Sequence, residues 1–81
     1  MTSLNPNEIL TENDLKHTKQ RVRVLEGIST ESTAVSQPAL EKKLGKDIDR
    51  VTLYRILNLF EEKGIVHRII DLNGTANYAL C

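Results

Sequence analysis

Between Asp49 and Gly64 the apolar residues Leu53, Ile56, Leu57 and Phe60 recur at i, i+3, i+4 and i+7, the spacing that gathers side chains on one face of an α-helix. Asp49 stands where an N-cap accepts from a free backbone N–H. Ile48 and Leu53 have the spacing of a hydrophobic staple. Gly64 falls where the helix ends, with Phe60 and Ile65 placed for the contact of a Schellman cap. With the apolar stripe turned inward, Val51, Arg55, Asn58 and Glu62 turn outward. Arg50 and Tyr54 then occupy one flank and Thr52 the other.

Three weaker helical patterns precede this one. Residues 6–16 open with Asn5 as a cap and Pro6 at the first helical position, and carry Ile9, Leu10 and Leu15. Residues 18–29 follow Thr18, a second cap. There Val22, Val24, Leu25 and Ile28 share one side, and Lys19, Gln20, Arg23 and Glu26 the other. Arg21 projects near the apolar side, so it is either partly buried or reaches past the edge. A short third helix starts at Ser36, with Pro38 in its first turn and Leu40 and Leu44 at i, i+4. Gly45 is expected to end it as a C′ glycine.

After Gly64 the pattern changes. Residues 66–72 and 75–81 flank Asn73-Gly74, the strongest two-residue hairpin signal. A two-residue turn there sets Ile69 opposite Tyr78 and His67 opposite Leu80. It predicts Ile69, Tyr78 and Leu80 on the core side and Arg68 and Asn77 on the other. The whole reads as mainly α with a small β-hairpin: a winged helix-turn-helix of four helices followed by a two-stranded antiparallel wing, one domain over residues 1–81. The turn of the helix-turn-helix lies between Leu44 and Asp49.

Composition narrows the class. The chain has 81 residues, 40% hydrophobic and 27% charged, with no Trp and one Phe. Its core must therefore be mostly Leu, Ile and Val. No apolar run approaches the roughly 20 residues of a membrane span, and Met1 to Pro6 lack a leader pattern. A single cysteine, Cys81, forms no internal disulfide, which fits a reducing cytoplasm. His17 and His67 are far apart and near no second ligand. There is no C-x-x-C pair, H-E-x-x-H, Gly-rich phosphate loop or nucleophile–base set. The chain is expected to be no enzyme and to hold no metal or cofactor of its own.

Charge cuts two ways. The formal net charge is zero, which by itself argues against nucleic acid. Yet Lys16, Lys19, Arg21 and Arg23 fall in eight residues with no acid among them, while Glu8, Glu12, Asp14, Glu61 and Glu62 lie elsewhere. Such segregation makes either a basic face on a neutral protein or a merely solvated helix surface.

In a helix-turn-helix the second helix enters the major groove by its N-terminal turns. Here these read Arg50-Val51-Thr52-Leu53-Tyr54-Arg55. Arg55 can donate two hydrogen bonds to guanine or one to phosphate; otherwise it is a surface arginine in a weak ion pair. Tyr54 offers an aromatic edge to a thymine methyl and a hydroxyl to phosphate, or is a packing residue. Val51 meets a thymine methyl or is plain surface. Thr52 and the first-turn N–H groups suit a phosphate, or Thr52 only supports the helix start. Lys16 reaches a phosphate or a narrow minor groove, or is solvated. Lys16, Lys19, Arg21, Arg50, Val51, Thr52, Tyr54 and Arg55 are thus the candidate DNA-binding residues.

Assembled, these segments resemble the ferric uptake regulator (Fur) family. Leu15-Lys16, Thr18, Gln20-Arg21 and Val24-Leu25 resemble its LK-x-T-x-x-R-x-x-[IV]-L start, and Val35-Ser36 with Leu40 its V-S-x-x-x-L helix. Residues 49–57 resemble its A-T-V-Y-R-x-L recognition helix. Phe60 through Val66 resemble its L-x-x-x-G-L-V turn, and Asn77-Tyr78-Ala79-Leu80 its closing R-Y-E-L. The resemblance implies Lys16 in the minor groove, Tyr54 and Arg55 in the major groove of double-stranded DNA, and a metal-responsive repressor. It also implies a C-terminal domain, absent from this chain, that dimerises and binds zinc and a regulatory metal such as iron. The full-length protein would be a homodimer, and this domain alone a monomer or weak dimer. Two metal-ligand positions depart from the family, and Val51 stands where Ala is usual in the recognition helix. Ala34 stands where a metal ligand, often His, is usual, and Ala79 where the Glu of Y-E-L is usual. Cys81 can begin a Cys/His-rich segment. The alternative is a winged-helix module that binds protein rather than DNA, which the zero net charge supports.

Overall fold

The computed structural model describes residues 5–30 and 33–80. The readings that rest on residues 1–4 and on Cys81 lie outside these. Helices α1 (Pro6–Glu12), α2 (Lys19–Ser29), α3 (Gln37–Leu44) and α4 (Arg50–Glu62) and strands β1 (Val35–Ser36), β2 (Val66–Ile70) and β3 (Ala76–Leu80) follow the chain order α1-α2-β1-α3-α4-β2-β3. The sheet is antiparallel in the order β1-β3-β2. The core lies between α2, α3, α4 and the inner side of the sheet. Leu10, Val24, Leu25, Leu40, Leu53, Leu57, Phe60 and Val66 are its largest fully buried side chains. No charged residue is buried among the described residues.

Each helix begins on a side-chain cap. Asn5, Thr18, Ser36 and Asp49 accept from the backbone N–H of Asn7, Arg21, Ala39 and Thr52 respectively, which satisfies donors that have no intrahelical partner. Helix α4 ends as the pattern requires. Gly64 takes φ +77°, and the Ile65 and Gly64 N–H groups return to the carbonyls of Phe60 and Glu61 at 2.8 and 3.1 Å, a Schellman motif.

Four expectations are corrected. Helix α1 stops at Glu12 rather than Lys16. Asp14 adopts φ +60°, which Asp tolerates better than most residues. The Leu15 N–H then returns to the Leu10 carbonyl at 2.9 Å, closing the helix. Gly45 caps α3 with φ −60°, an ordinary right-handed value. Its glycine suits a close approach instead, since a Cβ there would sit 2.6 Å from the Glu41 carbonyl oxygen. The sheet has a third strand, β1, paired with β3 through Val35–Tyr78 and Ser36–Asn77; two residues are too few to read as a strand from pattern.

The hairpin register is also shifted by one. Arg68, not Ile69, lies opposite Tyr78, and His67 lies opposite Ala79. Ile69 is consequently exposed. The cause is Asp71. Its Oδ1 accepts from the N–H groups of Asn73 (2.9 Å) and Thr75 (3.0 Å), and the Gly74 N–H reaches the Asp71 carbonyl at 3.0 Å. With Gly74 at φ +79°, the loop is a three-residue turn with a left-handed glycine, not the two-residue turn that Asn-Gly favours. The Thr75 amide, the Asn77 side-chain amide and the Asn73 amide together hold the Asp71 carboxyl below its ordinary 3.8. The folded state therefore favours the ionised form. Its stabilisation is complete above the unfolded value and disappears as acid protonates the group. Asp71→Ala is expected to lower the urea midpoint at about pH 7, and the gap from the parent should narrow as the pH falls below the ordinary 3.8.

Candidate nucleic-acid interface

The N-terminal turns of α4 are anchored from below and open above. Leu53, Ile56, Leu57 and Phe60 are buried, while Val51 is 56% exposed and Arg55 and Asn58 are exposed. Arg55 has no hydrogen bond or ion pair to the described residues, though its charge acts on Asp49. The Asp49 carboxyl is held below its ordinary 3.8, first by the Thr52 side chain and then by the Thr52 amide. Thr52 is thus engaged in the cap through its backbone N–H, which donates to Asp49 Oδ1 at 3.1 Å.

Tyr54 is half-buried, and its hydroxyl donates to Glu41 Oε2 at 3.0 Å. Arg50 Nε donates to Glu41 Oε1 at 3.2 Å. Both flank residues of α4 therefore meet one carboxylate on α3. Sequence reasoning missed Glu41. Nothing local marks it, because the pairing exists only once α3 and α4 are set side by side.

The basic cluster divides into two pairs. Lys16 and Lys19 are exposed. Lys19, Gln20 and Arg23 line a shallow cleft with Asp47 and Ile48, so the start of α2 adjoins the entrance to α4. Arg21 is partly buried, and its guanidinium donates to the Lys16 carbonyl at 3.1 Å. Arg23 pairs with Asp47 at 2.8 Å. The two arginines thus shape the surface, and the two lysines present charge. His17 contacts Thr11 Oγ1 through Nε2 at 2.8 Å and Asn7 Oδ1 through Nδ1 at 3.2 Å, which ties the Lys16 loop to α1. In the wing, Arg68 pairs with Glu61 at 3.5 Å, and Leu72 projects from the tip.

The regulatory metal implied by the resemblance does not fit these residues. Val35 pairs with Tyr78, so continuing the register outward sets Ala34 against Ala79, with His67 opposite Ala79 on β2. Two methyl groups offer no lone pairs, and one imidazole does not make a site. Among the described residues no three His, Cys, Asp or Glu side chains converge to hold an ion. No helix among them is long and apolar enough to cross a membrane.

A capped helix-turn-helix followed by a hairpin wing, with the second helix's N-terminal face bare, defines the winged-helix class. The chain belongs to the ferric uptake regulator family, which it matches over residues 12–81. It is 39% identical over 66 residues to the ferric uptake regulation protein of Vibrio anguillarum, covering 76% of this chain and 44% of that protein. The crystal structure of the Vibrio cholerae ferric uptake regulator superposes with TM-score 0.82 at 35% identity, over 93% of this chain and 60% of that one. The Pseudomonas aeruginosa ferric uptake regulator, determined with manganese, gives 0.84 at 30% identity, over 95% of this chain and 60% of that one. The chain thus spans less than half the length of the curated relatives it matches.

Proposed function

We propose that this chain reads double-stranded DNA sequence-specifically, as the DNA-binding domain of a longer, homodimeric, metal-responsive repressor acting in the cytoplasm. The observation that carries the reading is Arg55: exposed, without a hydrogen bond or ion pair among the described residues, on the outer face of a helix whose inner face is fixed in the core. Its planar fork can donate to O6 and N7 of one guanine. Tyr54 and Val51, on the same N-terminal turns, offer apolar contact to thymine methyl groups. Lys16 and Lys19 supply charge toward phosphate or the minor groove beside them. Arg21 supports the Lys16 loop, Thr52 supports the helix start, and Arg50 is tethered to Glu41. The zinc and regulatory metal of the family belong, on this reading, to the remainder of the full-length protein. A single domain contacts one half-site, so its affinity alone is low.

Fluorescence anisotropy of a labelled random-sequence duplex pool tests the reading. Affinity should fall linearly in log–log form with salt, by about 0.9 per phosphate contact. Lys16→Ala should weaken binding uniformly and reduce the slope by about 1. Absence of duplex binding even at low salt would remove the DNA reading and favour a protein partner.

A further inference from the structure

We propose that Glu41 is a specificity-determining positioning residue of the α4 interface: its carboxylate fixes Tyr54 for base contact and withholds Arg50 from phosphate. This rests on the DNA reading above. Arg50 and Tyr54 are i, i+4 on α4 and so share one flank. Glu41, on α3, accepts from Arg50 Nε through Oε1 at 3.2 Å and from the Tyr54 hydroxyl through Oε2 at 3.0 Å. One carboxylate thereby spans a full turn of the neighbouring helix. The carboxylate end is shielded, with a Glu41 side chain 25% exposed, whereas the Arg50 side chain is 71% exposed. An ion pair open to solvent at one end adds little to stability, so its consequence lies in geometry and charge.

Two effects follow, and they act together. The Tyr54 hydroxyl has one hydrogen, and Glu41 takes it. The ring is therefore held at one azimuth beside Arg55, with its edge and the acceptor lone pairs of its hydroxyl, but not its proton, left for a partner. At the same time a negative charge cancels Arg50 on the flank of a groove-entering helix. That lowers the sequence-independent attraction to phosphate. Fixing a base-reading ring and suppressing backbone attraction both raise the ratio of specific to non-specific binding.

The test measures the whole chain against two probes over a range of salt: a random-sequence duplex pool, and the duplex that the parent selects from a randomised library. Glu41→Gln keeps the shape and one acceptor for Tyr54 but removes the charge; Glu41→Ala removes both. Both variants should bind the random pool several-fold more tightly, with a salt slope steeper by about 1 as Arg50 is released. Glu41→Ala should also lose about 5- to 10-fold in preference for the selected duplex. Tyr54→Phe should lose preference in the parent and nothing further in Glu41→Ala, the coupling expected of a shared contact. If Glu41→Ala fails to fold, the charge and slope measurements on Glu41→Gln and the preference loss of Tyr54→Phe carry the test. Unchanged slope and preference in variants of a parent that discriminates would overturn the role of Glu41 and leave the DNA reading standing. A parent that binds neither probe would overturn the DNA reading itself.

Discussion

Arg55→Ala is expected to lower affinity for the selected duplex by roughly 5- to 150-fold, the loss that corresponds to about 1–3 kcal/mol for a bidentate base contact. Base preference should flatten at one position of the site. The size of the effect follows from where the side chain stands. Arg55 is exposed and has no hydrogen bond or ion pair to the described residues, so its removal breaks no such contact in the free domain and withdraws only the smallest of the influences on Asp49. Helical content and melting should remain those of the parent, and the loss should appear in binding alone. Arg55→Lys separates charge from geometry. An ammonium restores attraction to phosphate but lacks the planar fork. It should recover affinity for the random-sequence pool and leave the preference largely lost. Anisotropy titrations of the three proteins against both probes check this.

Phe60→Ala has the opposite signature: folding lost, with binding lost only in consequence. Phe60 is completely buried and is the largest of the fully buried side chains. It lies on the inner face of α4, and its carbonyl accepts the Ile65 N–H that closes the helix. Truncating a buried Phe costs about 3–5 kcal/mol, the lost transfer energy plus the cavity left behind. Domains hold only about 5–15 kcal/mol in total, and small ones sit at the low end. The variant should therefore be largely unfolded near body temperature, as read by far-UV circular dichroism and urea denaturation. Val51→Ala, on the outer face of the same helix, should shift the urea midpoint little. The contrast between residues 51 and 60 separates the face that holds the helix from the face that is free to read.

How much of this was legible in the sequence depended on whether the deciding interaction was local. Helix α4 was readable in full, because Asp49, the stripe from Leu53 to Phe60 and Gly64 each act within a turn or two of the chain. The caps at Asn5, Thr18 and Ser36 were readable for the same reason. The end of α1 was not, since an Asp in a left-handed conformation is an infrequent stop. The hairpin register failed on one carboxylate: Asn73-Gly74 signalled the shorter turn, and Asp71, bonded to Asn73 and Thr75, enforced the longer one. Strand β1 exists only because β3 pairs with it. At the interface, the outward set on α4 followed from periodicity. The division of the basic cluster into exposed lysines and engaged arginines required Asp47 and the Lys16 carbonyl to be seen in place, and Glu41 required α3 and α4 together.

The most direct measurement is amide chemical-shift mapping of the chain as its selected duplex is added. Perturbations should concentrate at Val51, Tyr54 and Arg55 and extend to Lys16 and Lys19, with little change at the wing tip around Leu72. A duplex that binds while leaving the start of α4 unperturbed, with its shifts gathered on the wing or on α1, would contradict the placement of base reading on that helix.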